Sequence, residues 1–246
     1  MSYTPSQLAA MSGEATYKQA PTGGNYFDTI TLAKDGKLYV SYYSQPKDER
    51  KDPDKLATPV VCTIIKIRRT LIAFENGRPS LKSVEYDADA DRILTTKGEL
   101  TEKEAKDMGA KVQLVLYVLY NNQITKLQVS GGSLYNPDDE QDMRLYTYLQ
   151  SFEEDDHSFM HETHIATKPN TYTDSEGFDK TSYQLTFKRG TKHDNLDAVG
   201  AAMERLNAEL PECDERDKKF LNYTPKADPA APVEYPAGTE DSDEPF

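Results

Sequence analysis

Lys111-Val112-Gln113-Leu114-Val115-Leu116-Tyr117-Val118-Leu119-Tyr120 runs into Asn121-Asn122 and then Gln123-Ile124-Thr125-Lys126-Leu127-Gln128-Val129. Val112, Leu114, Leu116 and Val118 alternate onto one face, and the run is hydrophobic almost throughout, so it predicts a central strand. Asn121 and Asn122 turn the chain between the two runs, which makes the whole stretch a hairpin. Outward from this hairpin the pattern stays strand-like. Upstream, Val60 to Glu75 predicts a long strand with Ile65, Ile67, Leu71 and Ala73 on a core face and Lys66, Arg68 and Thr70 on a basic one. Tyr26–Leu32 and Lys37–Ser44 flank Asp35-Gly36, a second hairpin signal.

Helices are fewer. Thr101 and Glu104 form a capping-box pattern opening a short helix to Met108. Asp138 to Phe152 reads as a helix with acids at its start and Leu145, Leu149 and Phe152 at helical spacing. Asp194 is the expected cap of an amphipathic helix carrying Leu196, Val199, Met203, Leu206 and Leu210, stopped at Pro211, with a shorter helix around Phe220. Ser158–Ala166 and Thr181–Arg189 are further strands, Gln45–Pro59 a charged loop, and Ser83–Lys97 fits no single pattern. Strands with a few interposed helices predict an all-β to α+β fold, best matched by an OB-fold-like Greek-key barrel with helical insertions and disordered termini. The expected organisation is a flexible arm over 1–24, a core over 25–222 and a disordered acidic tail over 223–246.

The 246 residues carry a net charge of -13, which by itself opposes binding to phosphate. Its distribution reverses that inference. From Lys226 onward six acids oppose one base, and from Asp138 to Asp156 eight acids oppose Arg144, so the remainder stands near neutrality and can hold one basic groove. Cys62 and Cys213 lack disulfide or metal-ligand spacing and read as reduced thiols. The first 24 residues contain no signal-peptide pattern, and no stretch approaches the roughly 18 apolar residues of a membrane span. A soluble, cytoplasmic protein with no membrane contact is expected.

The chain ends Glu240-Asp241-Ser242-Asp243-Glu244-Pro245-Phe246 after a linker containing Pro225, Pro229, Pro232 and Pro236. A terminal Phe beside its own carboxylate suits an apolar pocket rimmed by cations. This ending resembles the acidic C-terminal tip of bacterial and bacteriophage single-stranded DNA-binding proteins, although Ser242 interrupts the acidic run. The resemblance covers the tail and the general layout, not the core sequence, and a core without the bacterial housekeeping pattern implies a phage or plasmid version acting at the nucleoid. It implies that Asp241, Asp243, Glu244, Pro245 and Phe246 recruit polymerases, helicases or nucleases in DNA replication, recombination and repair. It also implies that they compete with DNA for the protein's own groove.

Single-stranded DNA requires cations for phosphates and flat rings for bases. Tyr39 and Tyr43 on one strand, Lys66 with Arg68 on the next, and Tyr117 with Lys111 on the central strand supply both; Tyr120, Lys126, Lys188, Arg189 and Lys192 stand at strand ends or turns. Without Trp, stacking falls to Tyr and Phe. His157, His161 and His164 lie close in sequence but match no metal motif. Asp87, Asp89 and Asp91 imitate a calcium loop in which Arg92 replaces the required Gly. No nucleophile or phosphate-loop motif is present, so neither an enzyme nor a cofactor is expected. The partners expected are single-stranded DNA, the proteins taken by the tail and, as an arrangement the sequence allows, a second copy in a homodimer. The competing reading is an acidic DNA mimic that inhibits a nuclease or restriction system, with the carboxylates of Asp138 to Asp156 as mock phosphates.

Overall fold

The computed structural model describes residues 27–46, 48–134, 143–173 and 177–221. In chain order the strands are β1 (Asp28–Leu32), β2 (Leu38–Ser41), β3 (Asp54–Lys55), β4 (Val60–Glu75), β5 (Arg78–Lys82), β6 (Ile93–Thr95), β7 (Gly98–Leu100), β8 (Lys111–Tyr120), β9 (Gln123–Val129), β10 (His161–Thr173) and β11 (Asp179–Lys192). The helices are α1 (Glu102–Asp107), α2 (Leu145–Gln150) and α3 (Asp197–Leu221), with 3-10 turns at Gly131–Ser133 and Ser158–Met160. The protein is thus mostly strand with few helices, as the alternation predicts. The arm over 1–24 and the tail over 223–246 lie outside the described residues, as does most of the acidic start of the helix expected from Asp138. In the described part of that segment Arg144 is extended, and only Leu145–Gln150 is helical.

The β8–β9 hairpin forms as read, with Asn121 and Asn122 at φ 48° and 60°. Positive φ at both turn positions matches the right-handed twist of the flanking strands. Among the described residues one sheet takes the order β11-β10-β4-β8-β9-β1-β2-β3, with β5 on the far end of β4. Every registered pair in it is antiparallel except β1 with β9. The sheet curls until its ends approach. Thr167 on β10 donates its hydroxyl to the Gly36 carbonyl at 2.8 Å, and the ring of Tyr183 on β11 lies against Gly36.

Three apolar clusters follow from the strand faces. The main core lies inside the curl and joins Ile30, Val40, Cys62, Leu116, Leu127, Ile165 and Phe187 under Tyr148 of α2. The outer face of β4, β8 and β9 is covered by α3 through Val199, Ala202, Leu206, Leu210 and Cys213. A satellite core around Leu71, Tyr86, Ile93 and Ala105 closes the β5–α1 insertion. There the capping box of Thr101 and Glu104 is complete.

Two elements depart from the sequence reading. In β4 the register shifts between Ile64 and Lys66; this bulge sends Ile65 into the cluster under α3 instead of the face it was assigned with Ile67. Helix α3 continues through Pro211 to Leu221. Proline lacks the N–H that would bond the Asn207 carbonyl, yet the apolar stripe runs on to Cys213 and packing holds the helix together. Its start is capped by Asn195, whose side-chain oxygen accepts from the Asp197 amide at 2.6 Å, and not by Asp194.

Candidate nucleic-acid interface

Strand register places most of the expected contacts on one surface. Across the outer face, Ser41, Thr29, Lys126, Tyr117 and Lys66 are successive cross-strand neighbours from β2 to β4. A parallel row begins with Lys55, Tyr39 and Thr31 and resumes with Gln128, Val115 and Arg68. Lys111 shares the parity of Tyr117 on β8. Tyr39, Lys66, Arg68, Lys111, Tyr117 and Lys126 therefore belong to one continuous face. The face has an open half and a covered half.

The covered half lies beneath α3 and the segment containing Glu85. The Arg68 guanidinium donates to both Asp214 oxygens, at 2.6 and 3.2 Å, and to the Glu85 carbonyl at 2.9 Å. Glu85 accepts from the Tyr117 hydroxyl at 2.5 Å and from the Lys126 ammonium at 2.7 Å. That ammonium stands 5.2 Å from the Tyr117 ring centre and 5.7 Å from that of Phe27, and the two rings meet edge to face. Arg68, Tyr117 and Lys126 are all buried. Their expected role as open DNA contacts is corrected: as folded, these cations are neutralised by carboxylates and the ring is internal. Burial works against the charge of Arg68, but Asp214 and Glu85 more than offset it and raise its pKa. Burial, then Glu85, raises that of Tyr117. Burial also lifts the Asp217 carboxyl above its ordinary value. Lys66, at the rim, is 30% exposed and 3.6 Å from Asp87.

The open half is built on β2 and β3. Tyr39 projects outward between the inward Leu38 and Val40 and donates to Asp35 at 3.4 Å, beside the Lys37–Asp35 ion pair. Lys55 is its exposed cross-strand neighbour. Tyr43 is 38% exposed with the Arg50 guanidinium 5.1 Å from its ring centre. Asp28 anchors the end of this platform by accepting from the Ser44 amide and hydroxyl at 3.0 and 2.5 Å. Lys55 and Arg50 were legible only as members of a charged loop; the pairing of β3 with β2 places Lys55, and the Tyr43 ring and the Gln45 carbonyl, which accepts from Arg50 Nε at 3.1 Å, place Arg50.

The remaining candidates fall elsewhere. Tyr120 packs against the main core, which corrects its expected place on the binding surface: its parity on β8 is that of Leu116 and Val118. Lys188 is exposed opposite His164. Arg189 and Lys192 converge on Asp156 at 3.3 and 3.0 Å, where His161 Nε2 also lies 2.8 Å away. Arg189 further covers the Phe152 ring at 4.0 Å. His161 and Lys192 hold the Asp156 carboxyl down at about 2. His157 stacks on Phe159, and His164 pairs with Glu162 at 3.7 Å, so the three histidines point to different neighbours. Among the described residues no group of three His, Cys, Asp or Glu side chains is arranged to hold a metal, and no helix is long and apolar enough to cross a membrane. Asp241, Asp243, Glu244, Pro245 and Phe246 lie outside the described residues. Compared with models of protein families, with curated proteins and with solved structures, the chain matches none.

Proposed function

We infer that the chain binds single-stranded DNA, without sequence preference, on the outer face that begins at Tyr39 and Lys55, and recruits replication, recombination or repair proteins through its last residues. The observation that carries this reading is the open platform on β2 and β3, where Tyr39 lies beside exposed Lys55 and exposed Tyr43 lies under the Arg50 guanidinium. Such interleaving is what sequence-tolerant single-strand binding requires. The architecture we assign is an enlarged OB-type Greek-key barrel. Its supports are the single parallel pair β1–β9 between two antiparallel runs and the contact of the β1–β2 turn with β10 and β11. The tail assignment rests on the sequence of Glu240 to Phe246.

Fluorescence anisotropy with labelled oligo-dT and a matched duplex, at low and moderate salt, tests the reading. Binding to the single strand alone, weakening steeply with salt, is expected. Tyr39→Ala should cost about 1–3 kcal/mol of affinity, the worth of one base stack, while leaving the thermal midpoint almost unchanged. No binding at low salt would overturn the function and leave the acidic mimic as the reading to pursue.

A further inference from the structure

We propose that Tyr43 forms a second base-stacking position after Tyr39, and that Asp28, making no contact with the DNA itself, is the positioning residue that holds the Tyr43 ring ready for a base. This rests on the open platform being the DNA interface and adds how its second ring is set.

The two rings are held by different means. Tyr39 lies within β2, where pairing with Thr31 of β1 and Lys55 of β3 fixes its backbone from both sides. Tyr43 lies in a turn beyond the end of β2 at Ser41. The bond that closes this turn, from the Gln45 amide to the Tyr42 carbonyl, is 3.3 Å long, just past the usual range. A ring carried on a loose turn must be ordered each time a base stacks on it, which costs affinity. Asp28 removes that cost. Its side chain is buried, and one carboxylate oxygen accepts from both the Ser44 amide at 3.0 Å and the Ser44 hydroxyl at 2.5 Å. Bonds to an ionised acceptor are roughly twice as strong as neutral ones, and a buried carboxylate is costly unless it is bonded in this way. Both bonds go to the residue next to Tyr43. They tie the turn to β1, a strand paired with β2 on one side and β9 on the other. The surroundings of Tyr43 also suit a nucleotide. Its ring is 38% exposed, and the Arg50 guanidinium, 5.1 Å from the ring centre, is itself fixed by donation from Nε to the Gln45 carbonyl at 3.1 Å. A base on this ring has a cation at hand for its phosphate, as a base on Tyr39 has Lys55.

A double-mutant cycle on the full chain tests the proposal, with binding read by anisotropy of labelled oligo-dT. Tyr43→Ala should weaken binding about 5- to 150-fold, the worth of one base stack. Asp28→Ala should weaken it in the same direction and by no more than Tyr43→Ala does, and Asp28→Asn, which keeps an acceptor oxygen for Ser44, should restore most of the loss. With Tyr43→Ala already in place, Asp28→Ala should cost nothing further; with Tyr39→Ala in place, the two losses should multiply. If Asp28→Ala does not fold, the same cycle is run with Ser44→Ala, an exposed position at which only the hydroxyl bond is removed; its smaller loss should again be confined to chains that keep Tyr43. The positioning role is overturned, with the function left standing, if the unsubstituted chain binds and Tyr43→Ala binds equally well. It is overturned in the same way if the anchor substitution has no effect, or an equal effect with and without Tyr43. Absence of binding by the unsubstituted chain at low salt overturns the role together with the function it rests on.

Discussion

Glu85 is the residue on which the covered half turns. One carboxylate, 11% exposed, answers both the Lys126 ammonium and the Tyr117 hydroxyl, and its carbonyl answers Arg68. Removing one partner of a buried pair strands the other charge, which costs about 3–5 kcal/mol. Glu85→Ala should accordingly lower the unfolding free energy read from urea titration by an amount in that range, whereas Glu85→Gln, which keeps an acceptor for Tyr117, should lose less. Asp156 behaves differently because it is at the surface. Its folded pKa, about 2, lies below the ordinary 3.8, the effect of His161 first and Lys192 next. A depressed carboxylate contributes stability that is present above its unfolded value and disappears as pH falls through its folded one. Between about pH 4 and pH 2, Asp156→Asn should therefore flatten the acid loss of stability, read as urea midpoints across that window. Sequence chose Arg68, Tyr117 and Lys126 for sound chemical reasons. What it could not carry was that Glu85 and Asp214, respectively 17 and 146 positions from Arg68, occupy the same face.

At the scale of elements, β4, β8 and β9 have the limits that alternation and turn chemistry predict, because each strand's pattern is local. The bulge in β4 was not legible. An extra residue leaves a hydrophobic run unchanged in composition while flipping the parity of Ile65. Helix α3 was legible as amphipathic, but a stripe states only that a partner exists, and its partner is an outer sheet face rather than the main core. Pro211 misled for an instructive reason: the local rule that proline stops a helix was outweighed by packing of Leu206, Leu210 and Cys213. The residual penalty should still be measurable. Proline in a helix interior is about 3 kcal/mol less favourable than alanine, and alanine gives back about 0.4–1 kcal/mol through a freer unfolded chain. Pro211→Ala should thus raise stability by about 2 kcal/mol in urea unfolding.

At the scale of the molecule, closure of the sheet depends on a contact between segments far apart in the chain. Asp35-Gly36 was legible as a turn, and Tyr183 as a member of an alternating strand, but nothing local joins them. In the structure Gly36 has φ +75°, and a Cβ there would stand 2.3 Å from the Tyr183 ring. Gly77, in the β4–β5 turn, has nearly the same φ, +71°, with nothing within 4 Å. The two glycines separate backbone strain from closure. Alanine in the left-handed region costs roughly 1–2 kcal/mol wherever it is placed, so Gly77→Ala should lose about that much. Gly36→Ala must bear the same strain and also push aside the ring of Tyr183, which β11 lays against the β1–β2 turn, and that adds the roughly 1–3 kcal/mol typical of overpacking. The difference between the two urea-unfolding free energies therefore reads the worth of closing the sheet. Equal losses at the two positions would mean that the ends of the sheet meet without stabilising each other, and the proposed barrel would have to be redrawn as an open sheet.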